Sequence, residues 1–346
     1  MHSDNHSELK NYNTFRLDAK AKAIYSASSI EELLMLWKEA QVKGLPVLLL
    51  GGGSNVLFID DFDGVVILNR ITALEMTESS QEWSIHVGAG NHWHQLVEEL
   101  IKNGIYGLEN MALIPGSVGA APIQNIGAYG MEFKDVCHYV DIANLNNGKQ
   151  YRLNAAECQF GYRDSIFKHK YRENFAVVSV GLKFNKLWKP ILSYAGLTSL
   201  TAQTVTAEDI FDAVCEMRQS KLPDPILIGN AGSFFKNPVI SSMAANEIKT
   251  RYPQCPEYPQ LDGTVKLAAG WLIDQCDLKD YQCGGAAVHM DQTLVLINKN
   301  NATGKDIVNL ARYIHKKVIK KFAITLEPEV RFIGKYGEVN AMDAIS

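Results

Sequence analysis

Cysteine is sparse in this chain, and none of it is arranged for metal or redox chemistry. The six residues Cys137, Cys158, Cys215, Cys255, Cys276 and Cys283 are scattered, without a CxxC pair or a metal-ligand spacing. No metal site and no secreted disulfide framework is therefore expected. Long apolar runs are also missing. Stretches such as Val47-Leu48-Leu49-Leu50 are far too short for a membrane span, and the first 25 residues lack the apolar core of a signal peptide. These absences predict a cytoplasmic protein with reduced thiols and no membrane insertion. Nor is there a surplus of positive charge. Lys and Arg number 34 against 38 Asp and Glu, for a net charge of −4, so no field draws in nucleic acid or anionic lipid. A local basic pocket for a phosphorylated small molecule stays open. No repeat or low-complexity tract is visible, which disfavours solenoids and propellers.

What remains is globular: 346 residues, 47% hydrophobic and 21% charged, enough for two or three domains. Ser29 with Glu32 reads as a capping box opening a helix that runs to Ala40, and Gly44 and Pro46 end it. Val47–Leu50 follows as a buried strand. A second strand, Ser84–Val87, turns through Gly88-Ala89-Gly90 into a helix with Trp93, Leu96, Val97, Leu100 and Ile101 on one face. From about Val136 to Phe184 the pattern is strands, with a turn at Asn146-Asn147-Gly148. A helix after Thr206 carries Ile210, Val214 and Met217 and stops before Pro223. Beyond the connector Lys221-Leu222-Pro223-Asp224-Pro225, Thr293–Ile297 reads as a strand and Asp306–Ile319 as an amphipathic helix. Lys316, Lys317, Lys320 and Lys321 at its end read as a solvated cluster suited to the helix dipole. The fold class is α+β, in two α/β units and a separate C-terminal unit.

Two glycine-rich loops stand out. Gly51-Gly52-Gly53-Ser54-Asn55 follows a strand directly, and consecutive glycines let backbone N–H groups converge on pyrophosphate oxygens. It lacks the Lys-Ser/Thr ending of a Walker loop; the bland alternative is a tight turn. Ile114-Pro115-Gly116-Ser117-Val118-Gly119-Ala120-Ala121-Pro122 is almost free of bulky polar groups, and Gln124-Asn125-Ile126-Gly127-Ala128-Tyr129-Gly130 follows it. Small residues over this length permit close approach to a flat ligand, with Gln124 and Asn125 able to bond a ring edge or ribose. The bland alternative is a loop packed against its neighbours. Gly88-Ala89-Gly90-Asn91-His92-Trp93 has the context of a dinucleotide fingerprint, but Trp93 occupies its third glycine position. It reads as a strand-to-helix turn, with His92 and His94 as surface or capping residues.

Six segments, in order, carry a family resemblance: Leu50-Gly-Gly-Gly-Ser-Asn55, Ile114-Pro-Gly-Ser-Val-Gly119, Asn125-Ile-Gly-Ala-Tyr-Gly130, Phe160-Gly-Tyr-Arg-Asp-Ser165, Asn230-Ala-Gly-Ser-Phe-Phe-Lys-Asn-Pro238 and Leu326-Glu-Pro-Glu-Val-Arg331. Over nearly the whole chain the sequence resembles the UDP-N-acetylenolpyruvoylglucosamine reductases of bacterial peptidoglycan synthesis. Ser193-Tyr194-Ala195-Gly196 resembles the tyrosine loop of the longer (type I) members. The resemblance implies a two-subdomain FAD-binding fold of the vanillyl-alcohol-oxidase type: residues 1–67 and 68–218 would hold FAD, and 219–324 would bind substrate, with about 325–346 returning to the first subdomain. It implies FAD held by Gly51, Gly52, Gly53, Ser54, Asn55, Ile114, Pro115, Gly116, Ser117, Gly119, Asn125, Gly127, Ala128 and Tyr129. Some relatives of this fold attach FAD to a His in the glycine loop; Gly51–Asn55 has none, so non-covalent FAD is expected. NADPH and the enolpyruvyl ether of UDP-N-acetylglucosamine are the implied co-substrates, and a monomer is expected.

The chemistry needs a cation at the enolpyruvyl carboxylate and a proton donor at the adjacent carbon, because negative charge develops there when a hydride adds to the vinyl group. Arg163 is the candidate cation, able to bind a carboxylate in two parallel hydrogen bonds. An ion pair with Asp164 is its structural alternative. Ser233 matches the family's proton donor, and its surroundings are not the Gly-x-Ser-x-Gly of a hydrolase elbow. Glu329 matches the third catalytic position, either bonding the developing enolate or holding Arg163 and a water. Glu327 is expected as a structural partner of Arg331. Tyr194, Lys221, Asn237 and Gln292 match substrate-binding positions, and Lys236 is a further candidate. The rival on the same fold is an FAD-dependent oxidase, which would need neither Lys221 nor Ser233.

Overall fold

A computed structural model describes residues 7–346, and the first six residues of the expected 1–67 subdomain lie outside that range. The chain divides into two compact units. The first is built from Lys22–Gly52 and Gly64–Ser220; the second from Glu8–Ala21, Gly53–Asp63 and Lys221–Ser346.

In the first unit a three-stranded sheet has the order Ala21–Ala27, Phe62–Asn69, Val47–Leu50. The last two strands run parallel, Val47 opposite Val65 and Leu50 opposite Leu68. Helix Ile30–Val42 buries Leu33, Leu36 and Ala40 against this layer. Ser29 caps it by accepting from Glu32 N at 3.1 Å. The reciprocal bond is displaced by one residue, since the Glu32 carboxylate takes the N–H of Ser28 at 2.7 Å. The larger sheet is antiparallel, ordered Gln150–Asn154, Cys137–Asn144, Phe175–Asn185, Glu82–Gly88, Leu74–Glu78. Its inner face shares one core with two helices. Trp93–Lys102 contributes Trp93, Leu96, Val97 and Leu100, and Ala207–Lys221 contributes Ile210 and Val214. Each such side chain, once buried, stabilises by about 1.5–3 kcal/mol before entropy is counted.

The second unit centres on a four-stranded antiparallel sheet, ordered Gly229–Ser233, Val295–Asn298, Ala286–Val288, Gln282–Cys283. Helix Gly304–Phe322 lays Ile307, Leu310, Ile314 and Val318 into that core. It exceeds the expected Asp306–Ile319 at both ends. Thr303 and Asp306 form a reciprocal capping box at its start, and Ala323, at φ 56°, stops it in the left-handed region. Near the C-terminus Arg331–Gly334 lies between Gly337–Val339 and Val56–Phe58, pairing in parallel with the latter from Arg331 opposite Val56. Chain from both ends of the sequence therefore meets beside Asn55. Among the described residues no helix is long and apolar enough to cross a membrane.

Candidate functional site

In the first unit the two glycine-rich loops touch through their backbones. A Cβ on Gly51 would stand 2.2 Å from Ser117 Oγ, and one on Gly52 would stand 2.8 Å from Gly116 Cα. Only glycine allows that approach. Arg70 holds the turn by donating to Gly51 O at 3.0 Å. Among the described residues nothing accepts from the backbone N–H of Gly51, Gly52 or Ser117. Partly buried N–H groups without an internal partner suit anionic oxygens such as those of a pyrophosphate, so these loops fit the flavin dinucleotide that the sequence implies. Gly119 serves packing: its N–H donates to Ala89 O at 2.8 Å, and a Cβ would meet the Ala89 methyl at 2.5 Å. Gly88 and Gly90 press against the backbones of residues 70–73, which makes their turn a packing element, as its Trp93 suggested. His94 accepts from Leu113 N at 3.1 Å and stacks on Phe211, a structural role.

Asn125 is fully buried at φ 45°. Its side chain donates to Glu132 Oε2 and Gly161 O, each at 3.0 Å, and accepts from Lys134 N at 2.9 Å. These internal bonds leave it shaping the loop; a bond from its side chain to a ring edge would have to displace one of them. Arg163, at φ 53°, is fixed by the same turn. It donates to Gly127 O at 2.9 Å and Asn125 O at 3.4 Å, while its own carbonyl accepts from Lys168 Nζ at 2.8 Å. Asp164 is turned to His169 at 2.9 Å. Gly127 and Ala128 pair with Glu132 and Met131. The next residue, Tyr129 at φ 50°, sets its ring edge-on to Tyr194 with centroids 4.7 Å apart. Asn110 ties the two segments together, donating to Tyr129 O and Ile191 O at 2.9 Å each. Three non-glycine residues at positive φ within one cluster is the kind of stored strain that concentrates at functional sites.

In the second unit Gly53 is strained by necessity. At φ 64°, a Cβ would lie 1.9 Å from Tyr12 O, and its carbonyl accepts from Thr14 N at 3.1 Å. Past Ser54, Asn55 brackets the C-terminal acidic segment. Its side chain donates to Glu329 O at 3.2 Å and its carbonyl accepts from Arg331 N at 3.1 Å. Ser233 ends its strand just after a bulge between Asn230 and Ser233. Buried Asn230 pins that bulge, donating to Pro223 O and Ile228 O and accepting from Gly232 N at 2.8 Å. Ser233 is exposed, while Phe234 and Phe235 are buried. Glu329 N donates to Phe234 O at 2.8 Å, and Phe235 bridges Pro328. The structure thus pairs Glu329 with Phe234, the neighbour of Ser233.

Glu327 departs from expectation. It pairs with Lys236 at 2.6 Å, and Arg331 pairs with Glu338 at 2.6 Å. Cross-strand neighbours, not sequence neighbours, decided both pairs, and the pairing turns Lys236 to Glu327. Asn237 and Gln292 converge on one helix start. Asn237 Oδ1 accepts from Ala269 N at 2.9 Å, and Gln292 Oε1 lies 3.2 Å from where a Gly270 Cβ would be. Lys221 is exposed at the end of helix Ala207–Lys221. Among the described residues no cluster of His, Cys, Asp and Glu could hold a metal ion. Arg218 lies on that same helix, three residues before Lys221 and inside its amphipathic pattern.

The first of these units falls in a known class: residues 21–154 match the FAD binding domain. Residues 224–333 match the C-terminal domain of UDP-N-acetylenolpyruvoylglucosamine reductase. The reductase of that name from Photorhabdus laumondii is 60% identical over 98% of this chain and 99% of its own length. That from Yersinia pestis is 59% identical, covering 99% and 100%. A crystal structure of the Thermus caldophilus enzyme shares the fold at TM-score 0.66, with 23% identity over 96% of this chain and 99% of the other. The chain belongs to the UDP-N-acetylenolpyruvoylglucosamine reductase family, and it is an FAD-dependent oxidoreductase.

Proposed function

We infer that this chain performs the family's reaction, reducing the enolpyruvyl ether of UDP-N-acetylglucosamine to UDP-N-acetylmuramate at the expense of NADPH, with Arg163, Ser233 and Glu329 as its catalytic residues. When bound, FAD would supply the hydride chemistry that links NADPH to the vinyl group of the substrate. Gly51, Gly52, Gly53, Ser54, Asn55, Ile114, Pro115, Gly116, Ser117, Gly127, Ala128 and Tyr129 would hold it, largely through backbone groups and without a covalent bond, with Gly119 and Asn125 contributing by shaping the loops. Arg163 binds the substrate carboxylate and opposes the charge that develops beside it. The Ser233 hydroxyl gives its proton to the adjacent carbon, and Glu329 steadies the enolate-like state. Tyr194, Lys221, Asn237 and Gln292 bind the UDP-sugar.

The observation that supports this reading best is the bond from Glu329 N to Phe234 O, 2.8 Å long, because it sets two motifs distant in sequence next to one another. The packing of Tyr194 on Tyr129 supports the longer, tyrosine-loop form. A cytoplasmic monomer is the working description. The test is anaerobic absorbance on purified protein. Bound oxidised flavin should bleach with NADPH and recover its colour on addition of the enolpyruvyl UDP-sugar. Bleaching that only oxygen reverses would favour the oxidase reading.

A further inference from the structure

Arg218 sits in the last turn of helix Ala207–Lys221, with its side chain half-buried. Several other arginines of the chain have evident partners. Arg152 forks onto Asp141 at 2.8 Å, Arg331 meets Glu338, and Arg312 donates to Asn309 and to Ala344 O. Arg218 has none of this: among the described residues, no carboxylate or carbonyl accepts from its guanidinium. Burial pushes its pKa down, and the groups that act against this are the Tyr129 phenol and the Cys215 thiol, neither of them ionised at neutral pH. A partly desolvated charge without a counter-ion carries a cost, and one is often retained where a ligand supplies the missing charge.

Its surroundings are built as well as unpaired. Met217, the preceding residue, packs where a Cβ on Gly196 would be, 2.2 Å from Sδ, so the helix end is keyed to the loop that carries Tyr194. Tyr194 in turn lies on Tyr129, and Asn110 clamps both segments. His94 feels the same cation. Burial is the main cause of its lowered pKa and Arg218 adds to it, against Glu98, which favours the neutral imidazole beside the guanidinium. A guanidinium binds phosphate oxygens through two parallel hydrogen bonds, which a lysine cannot copy.

We propose that Arg218, on the helix end that Met217 keys to the Tyr194 loop, is a binding residue for a phosphate group of a nucleotide ligand. The proposal rests on the function inferred above. Both nucleotides of that reaction carry such phosphates, and the experiment separates them. Holoenzymes of wild type, Arg218→Met and Arg218→Lys are compared for the dissociation constants of UDP and of NADP⁺, and for KM in each half-reaction. Arg218→Met should keep its flavin spectrum and melting temperature, because it removes an uncompensated charge. It should weaken one nucleotide at least tenfold, UDP if the sugar nucleotide is the ligand and NADP⁺ if the reductant is. Arg218→Lys should recover part of the loss. If affinities for both nucleotides stay within twofold of wild type in the two variants, the proposal is overturned. Should Arg218→Met fail to fold, Arg218→Lys decides, with unchanged affinities counting against the proposal and a threefold or larger weakening supporting it. If wild type shows neither half-reaction, the functional reading falls, while the UDP and NADP⁺ comparison still judges Arg218.

Discussion

Glu329 donates its backbone N–H to the carbonyl of Phe234 at 2.8 Å, and the residue before Phe234 is Ser233. The hydrogen bond joins the C-terminal acidic segment to the strand end that bears the proposed proton donor. Asn55 fastens the same segment from the other side through Glu329 O and Arg331 N. The geometry of the proposed site is set here by backbone pairing, which is stiffer than any contact between exposed side chains.

Arg163→Lys tests the cation at the carboxylate. Lysine keeps the charge but loses the fork and the paired bonds to Gly127 O and Asn125 O. Losing a charge-assisted hydrogen bond costs about 1.5–3 kcal/mol, so kcat/KM for the enolpyruvyl substrate should fall by roughly 10- to 100-fold. Reduction of the flavin by NADPH should be largely spared. Stopped-flow measurement of the two half-reactions separates these effects, and equal damage to both would argue that Arg163 shapes the fold instead.

Gly53→Ala tests the glycine loop. Its φ of 64° costs an alanine about 1–2 kcal/mol, and the methyl would also meet Tyr12 O at 1.9 Å. The variant should melt earlier and purify with less flavin than wild type. Gly104→Ala is the control: at φ 71° with nothing within 4 Å of its Cβ, it should lose stability but retain flavin.

The fold's outline was legible in its pattern of apolar residues, because the helices of the first unit and Gly304–Phe322 bury one face each. Their ends were less so. The capping bond that the Glu32 carboxylate accepts from Ser28 N differs by one residue from the expected box. Partners distant in sequence were not legible at all. Nothing in Glu327-Pro328-Glu329 says that Glu327 will meet Lys236, or that Val56–Phe58 will pair with Arg331–Gly334. Asn125 shows the same limit. Its place in a small-residue loop suggested a ligand contact, and the turn consumed its side chain. Arg218 went unnoticed because a lack of partners is visible only in three dimensions.

Asp141 should govern part of the acid stability. Burial alone would raise its pKa, but the fork from Arg152 and the bond from Ser179 Oγ hold it below its ordinary value of 3.8. A carboxylate with a lowered native pKa stabilises above its unfolded pKa, and that contribution is lost as pH falls through the native value. Asp141→Asn should therefore be less stable than wild type at pH 7. Below about pH 4 the difference should shrink, as read by urea unfolding across the acid range. A difference independent of pH would mean that the carboxylate's charge contributes nothing.

The most direct measurement is anaerobic reoxidation of the NADPH-reduced Ser233→Ala enzyme by the enolpyruvyl UDP-sugar. Ser233 is exposed at a strand end, so the variant should fold, bind flavin and be bleached by NADPH at nearly the wild-type rate. Reoxidation should slow by about 10²- to 10⁴-fold, the usual share of a positioned proton donor. Reoxidation at the wild-type rate would contradict the account, and the proton would have to come from another group.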